Sequence, residues 1–564
     1  MRSFQRESLL YGVALAVAIG MRFIGLGAEP LNSLEARWAL QALGVAGGSH
    51  AALGSQTLYV LLTTVVFFAY GGATNALARL VPALAGSAMV LLPALFRDRL
   101  KPRPALILAF LIALEPGMVA LSRQVGTSIL TLATVFAAWG LWERGRFRWS
   151  GVCAGLALLS GPALWVGLLG LGLAWAIWQP FRGTPAPAGD GTRVPWLGSL
   201  LSSLWFAVGT IAFVGTLAAL VPSGVSAWLA GLPEYIAGWA HASNVSAGLM
   251  AFSILAYQPL GLLLAGAAIV RGWRGGLRRI RFLSIWMAVA FLLSIFYPDR
   301  QITDLGWTLI PLWALAAFGL AYNLNVRPDE RREVLGTGAL VFLILVFVWL
   351  DFLGFSQFAV LPNQAAARIW LMFGSLLLLV LSLLLVAAGW SARVARFGTV
   401  WGLVGTLSVY SLAASMGAAG VRQMPDAVEM WRPGGTLPQA GLLLGTVQDM
   451  SDWSDYNPNS QSVTIAGIDS AALQWLLRER VVNVEEAVGP AVDAPMVLTV
   501  DRNNPDLAAR YRGEAFALQR TPLWEQTGLS QWLDWLSFHQ VPQQTETVIL
   551  WVRSDLFLNA KATP

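Results

Sequence analysis

Glu35 stands just past the first long apolar run of this chain, three residues after Asn32, within Met21–Gly44, MRFIGLGAEPLNSLEARWALQALG. Asn followed by Glu at that spacing is a capping-box signature, so the pair starts a short helix. On that helix Leu34, Trp38 and Ala42 share one face, and Arg37 and Gln41 share another. A carboxylate is thereby held where a membrane helix ends. Two readings stay open at this point: a group placed for chemistry at the boundary, or a cap that satisfies the helix N-terminus and pairs with a lipid head group.

Other charges fall at the same level. Arg79 opens an apolar run, Glu115 precedes Pro116 near the end of another, and Arg123 follows at the turn. Asp299, Arg300 and Asp304 form a further turn, and His241 lies in the long connection Val221–Met250. A charge at mid-bilayer costs about 2.5–3.5 kcal/mol on insertion scales, so each of these calls for a reason. A mixed-charge cavity at the outer face is one. The plainer reasons are that Arg22 and Arg79 snorkel to head groups, that Glu115 and Arg123 form a structural ion pair, and that Asp299-Arg300 is a solvated turn.

The elements that must position these residues follow from composition. The chain has 564 residues, 56% hydrophobic and only 12% charged, with a mean hydropathy of +0.61. Soluble domains carry about 25% charged residues, whereas here many apolar runs approach the roughly 20 residues that cross a bilayer. The sequence therefore reads as a polytopic α-helical membrane protein. The net charge of +6 comes from arginine-rich gaps rather than a nucleic-acid face. Cys153 is the single cysteine, so an intrachain disulfide is excluded, and with three histidines a dedicated zinc site is not expected.

The arginine clusters orient the spans. They fall at Arg2/Arg6, Arg97–Arg103, Arg144–Arg148, Arg182/Arg193, Arg271–Arg281, Arg327–Arg332 and Arg393/Arg396, which the positive-inside rule makes cytoplasmic. Thr57–Tyr70 is too short to cross and would reverse that order, so it reads as a second interfacial helix in a first outer loop from Gly27 to Ala78. Runs 79–96, 103–121 and 126–142 then cross once each. Trp149–Trp178 reads as a hairpin broken at Ser160-Gly161-Pro162, and Gly183–Arg193 as a cytoplasmic linker. Further spans fall near 198–220, 252–270, 282–297, 305–325, 334–351, 366–389 and 399–420. The total is about thirteen, which puts the N-terminus inside and the C-terminus outside. Asn244-Val245-Ser246 reads as a chance sequon.

Composition changes near Val421. Residues 421–564 read as an extracytoplasmic α/β domain, with strands at Val463–Ala466, Val481–Val484, Met496–Val500, Ala515–Arg520 and Val548–Val552 and helices at Ser470–Arg478 and Leu529–His539. Residues 1–420 form the transmembrane domain.

One resemblance draws these features together. The run Arg22-Phe23-Ile24-Gly25-Leu26-Gly27, then Pro30-Leu31, Glu35-Ala36, a short interfacial helix, Ala78–Gly86 and the Ser122-Arg123 turn resemble the GT-C superfamily of membrane glycosyltransferases. The nearest likeness is to the family 39 type, which includes protein O-mannosyltransferases and lipid A aminoarabinose transferases. It covers roughly residues 1–420 in topology and is most specific over residues 21–128. The resemblance implies transfer of a sugar from a polyprenyl-phosphate donor to an extracytoplasmic protein, lipid or glycan acceptor at the plasma membrane, with inversion and with no nucleic acid involved. It implies Glu35 as general base, aided by Glu115, and Arg123 and Arg300, then Arg37 and His241, around the lipid phosphate. The family's usual Asp-Glu pair is Leu34-Glu35 here, and the acid expected after the Ser-Arg turn is replaced by Gln124–Ser128. A divalent metal, which would want carboxylate ligands, is correspondingly weakly implied. A non-catalytic GT-C-like scaffold that binds a lipid-linked glycan or partner proteins is the alternative. A transporter would show repeated halves with paired interrupted helices, which the hydropathy pattern lacks.

Overall fold

The structure, a computed structural model, describes residues 2–49, 53–181, 196–243, 245–324, 326–357, 362–421, 426–453, 462–487, 489, 493–500, 507 and 509–557. The linker 183–193 and Asn244 of the sequon lie outside them. The first part of the chain runs through α1 (Arg2–Phe23), α2 (Ser33–Ala46), α3 (Thr57–Tyr70), α4 (Asn75–Met89), α5 (Arg97–Leu100), α6 (Pro102–Leu114), α7 (Pro116–Ser122), α8 (Ser128–Glu143), α9 (Phe147–Leu158) and α10 (Pro162–Trp178). It continues through α11 (Trp196–Gly215), α12 (Ser223–Ala237), α13 (Ala247–Tyr257), α14 (Pro259–Arg274), α15 (Arg278–Phe296), α16 (Gly306–Asn323), α17 (Arg331–Gln357), α18 (Pro362–Gly389) and α19 (Ala392–Ala418). The C-terminal part is α20 (Ala440–Trp453), β1 (Val463–Ala466), α21 (Ala471–Leu476), β2 (Val482–Glu485), β3 (Met496–Val500), β4 (Tyr511–Pro522), α22 (Leu529–Phe538) and β5 (Gln543–Arg553).

Among the described residues eight helices are long and apolar enough to cross a membrane, or up to ten if each of two bent pairs counts as one. The expected figure of about thirteen counts α8 and α9, which have only 16 and 12 residues. It also treats runs 103–121 and 252–270 as simple crossings, and both are broken. α6 and α7 meet at 60°, α13 and α14 at 85°. The cause is the same in both: the residue before a proline, Glu115 or Gln258, is pushed out of the helical region, and the proline opens the next helix. The two breaks are joined, since Gln258 Nε2 donates to Glu115 Oε1.

Two expected features are present, a short helix and one break. α3 has the expected bounds and ends at Gly71, whose φ of 75° supplies the left-handed cap. α9 and α10 part at Gly161, with φ of 78°, where an added Cβ would meet the Ser55 carbonyl at 2.3 Å. The halves do not make the expected hairpin, however. α9 packs on α8 and α11, while α10 packs on α15 and α12. Burial grades across the bundle: the span of α16 is 78% buried and that of α18 is 0% buried, so the core surrounds α16 and α18 lies at the rim.

The C-terminal part is a five-stranded mixed sheet in the order β2-β1-β3-β5-β4. β1 runs parallel to β2 and β3, and β5 is antiparallel to β3 and β4. One face buries Val463, Ile465, Met496, Leu498 and Leu550 against Leu443, Val447 and Leu473. β1 and β3 have the bounds the sequence gives them, and α20 is an element it did not show. The sheet seats on the first loop through α21 against α2: Trp475 Nε1 donates to Asn75 Oδ1 at 2.8 Å and Arg478 Nε to the Ala73 carbonyl at 3.0 Å. This is the domain end of the bundle. The far end gathers Glu7, Arg97, Arg99, Glu143 and Arg144, linked by the pairs Arg97–Glu7 and Arg99–Glu143.

Candidate active site at the domain end

The first wall of the site is built locally. Asn32 caps α2, its Oδ1 accepting the Glu35 N–H at 3.0 Å, which fixes Glu35 in the first turn. Arg79, in the first turns of α4, grips it from both sides, Nε to Oε1 at 2.9 Å and Nη2 to Oε2 at 2.6 Å. Val125 N also donates to Oε1 at 3.0 Å. Arg79 further donates to the carbonyls of Leu26, Glu29 and Pro30. This is a buried bidentate pair, with side chains 8% and 7% exposed, whose planar fork fixes geometry as well as charge. Arg79 therefore does not snorkel. Nor does Arg22, fully buried, whose Nε donates to Ser122 Oγ at 3.0 Å while its Nη atoms reach the Ala113 and Ile112 carbonyls. Both face inward because carbonyls left open at helix ends are there to receive them.

Arg123 closes the end of α1. Its Nη1 donates to the carbonyls of Arg22 at 3.0 Å and Ile24 at 2.9 Å, and its Nη2 to Gly25 at 3.1 Å. Among the described residues it has no carboxylate partner within ion-pair distance. Burial, then the charges of Arg432 and Arg79, pull it down to about 10, so it remains charged at neutral pH. The expected Glu115–Arg123 pair does not form. Glu115 instead caps α7, accepting the N–H groups of Gly117, at 2.9 Å, and Met118, because the proline break leaves those donors open.

The second wall comes from the segment after α19. Arg432 pairs with Glu29 and Arg520 with Asp426. Burial raises the Glu29 carboxyl, and the Arg432 charge and hydrogen bond outweigh it, so the net shift is downward. Glu429 differs. Its Oε2 accepts the Tyr257 hydroxyl, and its Oε1 lies 3.4 Å from His539 Nδ1. Trp431 is fully buried, edge-on to Tyr257, and Gln124 Nε2 donates to its carbonyl. Asn32 Nδ2 donates to the Pro433 carbonyl at 3.1 Å, tying this wall to the cap of the first.

Between the walls lies a cavity of about 290 Å³ faced by four arginines, Arg79, Arg123, Arg432 and Arg520, and four acids, Glu29, Glu35, Asp426 and Glu429. Three arginine–carboxylate pairs consume six of these groups. Arg123 and Glu429 are left, a guanidinium held by carbonyls and a carboxyl held by a phenol and a histidine. Such a site can grip a leaving phosphate and accept a proton.

Of the six residues the resemblance puts at the site, Glu35 and Arg123 line this cavity, as does Arg79 among the other charges singled out. Four do not. Glu115 is buried as a cap. Arg37 is exposed on the other side of α2, over the Trp38 ring. Arg300 Nη1 donates to the Ile295 carbonyl at 3.1 Å, and its own carbonyl accepts Ser243 Oγ. His241 is exposed, its Nδ1 2.8 Å from the Ala237 carbonyl. His241 lies in the connection after α12 and Arg300 in the connection after α15, and the Ser243–Arg300 hydrogen bond joins the two connections. Leu34, at the position of the missing acid, is 56% exposed. The residues the sequence reading missed are Glu29, Asp426, Glu429, Arg432, Arg520, Tyr257 and His539. One signal was available, three charges at 426, 429 and 432 around Trp431 just after the last apolar run. Among the described residues no three His, Cys, Asp or Glu side chains group as metal ligands, and the cavity acids are each engaged by an arginine, tyrosine or histidine.

No protein-family model matches the sequence, and no curated protein does. Solved structures do match. ArnT from Cupriavidus metallidurans bound to undecaprenyl phosphate is 14% identical, with 96% of this chain and 98% of that chain covered and a TM-score of 0.54. This chain shares the ArnT fold. The apo state of the same ArnT gives 14% identity, 99% coverage of both chains and a TM-score of 0.54. The Archaeoglobus fulgidus oligosaccharyltransferase tethered to an acceptor peptide matches at 13% identity over 88% of this chain and 69% of that one, with a TM-score of 0.43. The GT-C resemblance drawn from residues 21–128 thus holds at the level of the fold, in a multi-pass membrane protein with a small C-terminal sheet like ArnT.

Proposed function

We propose that this chain is a membrane glycosyltransferase that takes a sugar from a polyprenyl-phosphate donor and passes it to an acceptor hydroxyl on the domain side of the membrane. The observation that carries the reading is the pair left over in the cavity, Arg123 without a carboxylate and Glu429 without an arginine. The ArnT whose fold the chain shares was solved bound to undecaprenyl phosphate, which supports the donor class. The arginine clusters at the far end support an orientation with residues 421–564 outside the plasma membrane and the N-terminus inside.

In this reading Arg123, flanked by Arg79 and Arg432, holds the lipid phosphate. Glu429 takes the acceptor hydroxyl proton on Oε1. The acceptor oxygen attacks the anomeric carbon, and the bond from that carbon to the phosphate oxygen breaks. The electron pair leaves with the phosphate, and the configuration inverts. Charge developing on that oxygen is stabilised by guanidinium donors already in place. Glu35, the base implied by the resemblance, has a different part. Its Oε1 already takes two donors and its Oε2 a third, which leaves one of about four acceptor sites for a proton. Glu35 instead positions Arg79 and the Val125 backbone.

The test is turnover by protein in nanodiscs supplied with labelled undecaprenyl-phosphate sugars and envelope lipid, glycan and peptide acceptors. Label appearing on an acceptor, dependent on the lipid donor, is the expected result. Donor binding with no transfer to any acceptor class would favour the scaffold alternative, and no donor binding would overturn both.

A further inference from the structure

A second cavity, of about 680 Å³, lies at the far end of the bundle and shares no lining residue with the first. Helical residues Asn75–Leu100 form one continuous candidate span. Asn75 touches Trp475 of the C-terminal part, and Leu100 lines this second cavity. On this span Arg79 lines the first cavity and Met89 to Leu100 line the second, so at 1.5 Å per residue the two lie roughly 15–30 Å apart along it.

The far cavity is walled by linked aromatic rings. Phe136 lies 5.9 Å from Trp286 and 6.2 Å from Trp139, and Phe282 lies 5.4 Å from Trp178 and 6.3 Å from Trp286. Trp175, also in the lining, is 54% exposed on the outside of the bundle, so the wall opens sideways where lipid would be. Trp286 is 3% exposed and its Nε1–H finds no acceptor among the described residues. The charges at the rim do not cancel. Arg99 pairs with Glu143 and Asp98 with Arg144. Arg278 and Arg279, exposed at the start of α15, have no acidic partner among the described residues. Arg279 Nη1 donates to the Arg99 carbonyl, which holds it at the rim.

We infer that this cavity binds an anionic phospholipid from the leaflet opposite the C-terminal part. One acyl chain lies among Trp139, Trp178 and Trp286, and the head-group phosphate lies on Arg278 and Arg279. A largely apolar chamber of a few hundred Å³ with a few convergent polar groups is the form of a small-ligand site, and two uncompensated guanidiniums at its mouth favour a phosphate head group of net negative charge. The site does not depend on the transfer reading, because it lies at the other face and uses none of its residues.

The experiment is native mass spectrometry of the full chain released from nanodiscs of phosphatidylglycerol and phosphatidylcholine in equal amounts. The wild type is expected to retain one phosphatidylglycerol at least fivefold more often than phosphatidylcholine. The exposed double variant R278A/R279A should lose that preference, and L283W, which fills the chamber, should lower retention of both lipids. Free inorganic phosphate at millimolar concentration should not displace the lipid. Equal retention of the two lipids by the wild type, an unchanged preference in R278A/R279A, or displacement by phosphate alone would each overturn the inference.

Discussion

The two walls of the domain-end cavity present carboxylates in opposite states. The wall made by α2 and α4 holds Glu35 in a bidentate arginine fork with a backbone donor added. The wall made by the segment after α19 holds Glu429 with Oε2 on the Tyr257 hydroxyl and Oε1 3.4 Å from His539 Nδ1, with no arginine on either oxygen. Both residues are glutamates, both are largely buried and both face the same space. The partner decides the role. A guanidinium fork with an added backbone donor makes a strut, whereas the carboxylate held by a phenol and a histidine, with no such fork, is the one proposed to take a proton. Removing one member of a buried pair leaves the other charge uncompensated, so the strut is expensive to break. Removing an oriented base should leave the fold standing and stop the proton transfer.

Three measurements can break that comparison. The largest effect is expected from E429Q, which should lower turnover by about 10²- to 10⁴-fold, the usual worth of a positioned base, with little change in melting temperature. If E429Q transfers sugar at the wild-type rate, Glu429 is not the base. E35A should act the other way. Breaking the Glu35–Arg79 pair should cost about 3–5 kcal/mol of stability, read as a lower unfolding midpoint in detergent or nanodiscs. A loss under 1 kcal/mol together with abolished turnover would reverse the two roles. The third effect concerns Arg123, which stands between the walls. Its guanidinium is lowered to about 10, so donor binding should hold level from pH 7 to 9 and weaken as the pH rises through 10, where the charge is lost. Unchanged binding at pH 11 would mean that the Arg123 guanidinium keeps its charge there or does not set donor binding, and R123A separates the two.

The same contrast explains how far the sequence could be read. The elements of the first wall were legible because their signals are local, an Asn-to-Glu cap spacing and an apolar run too short to cross, whereas the pairing of Arg79 with Glu35 across 44 positions was not. α3 and strands β1 and β3 carry the expected bounds because hydropathy and β-branched runs are likewise short-range patterns. The second wall was not legible. Glu29 meets Arg432 across 403 positions, and Tyr257 meets Glu429 across 172, and no periodicity encodes such pairs. Charge counting also misassigned Arg300 and His241. They lie on the connections after α12 and α15, neither of which lines the cavity, and a shared side of the membrane does not bring side chains together. Glu115 and Gln258 were misread as parts of straight spans because each precedes a proline whose effect is to bend the span and turn the side chain into a cap or a cross-link.

The account rests on Arg123 as the lipid-phosphate anchor, and the most direct measurement is undecaprenyl-phosphate binding to the wild type and to R123A, read by native mass spectrometry with the unfolding midpoint of each protein recorded alongside. The account predicts one bound undecaprenyl phosphate on the wild type and at least tenfold weaker binding by R123A at a comparable folded fraction. Equal binding by the two folded proteins would contradict it.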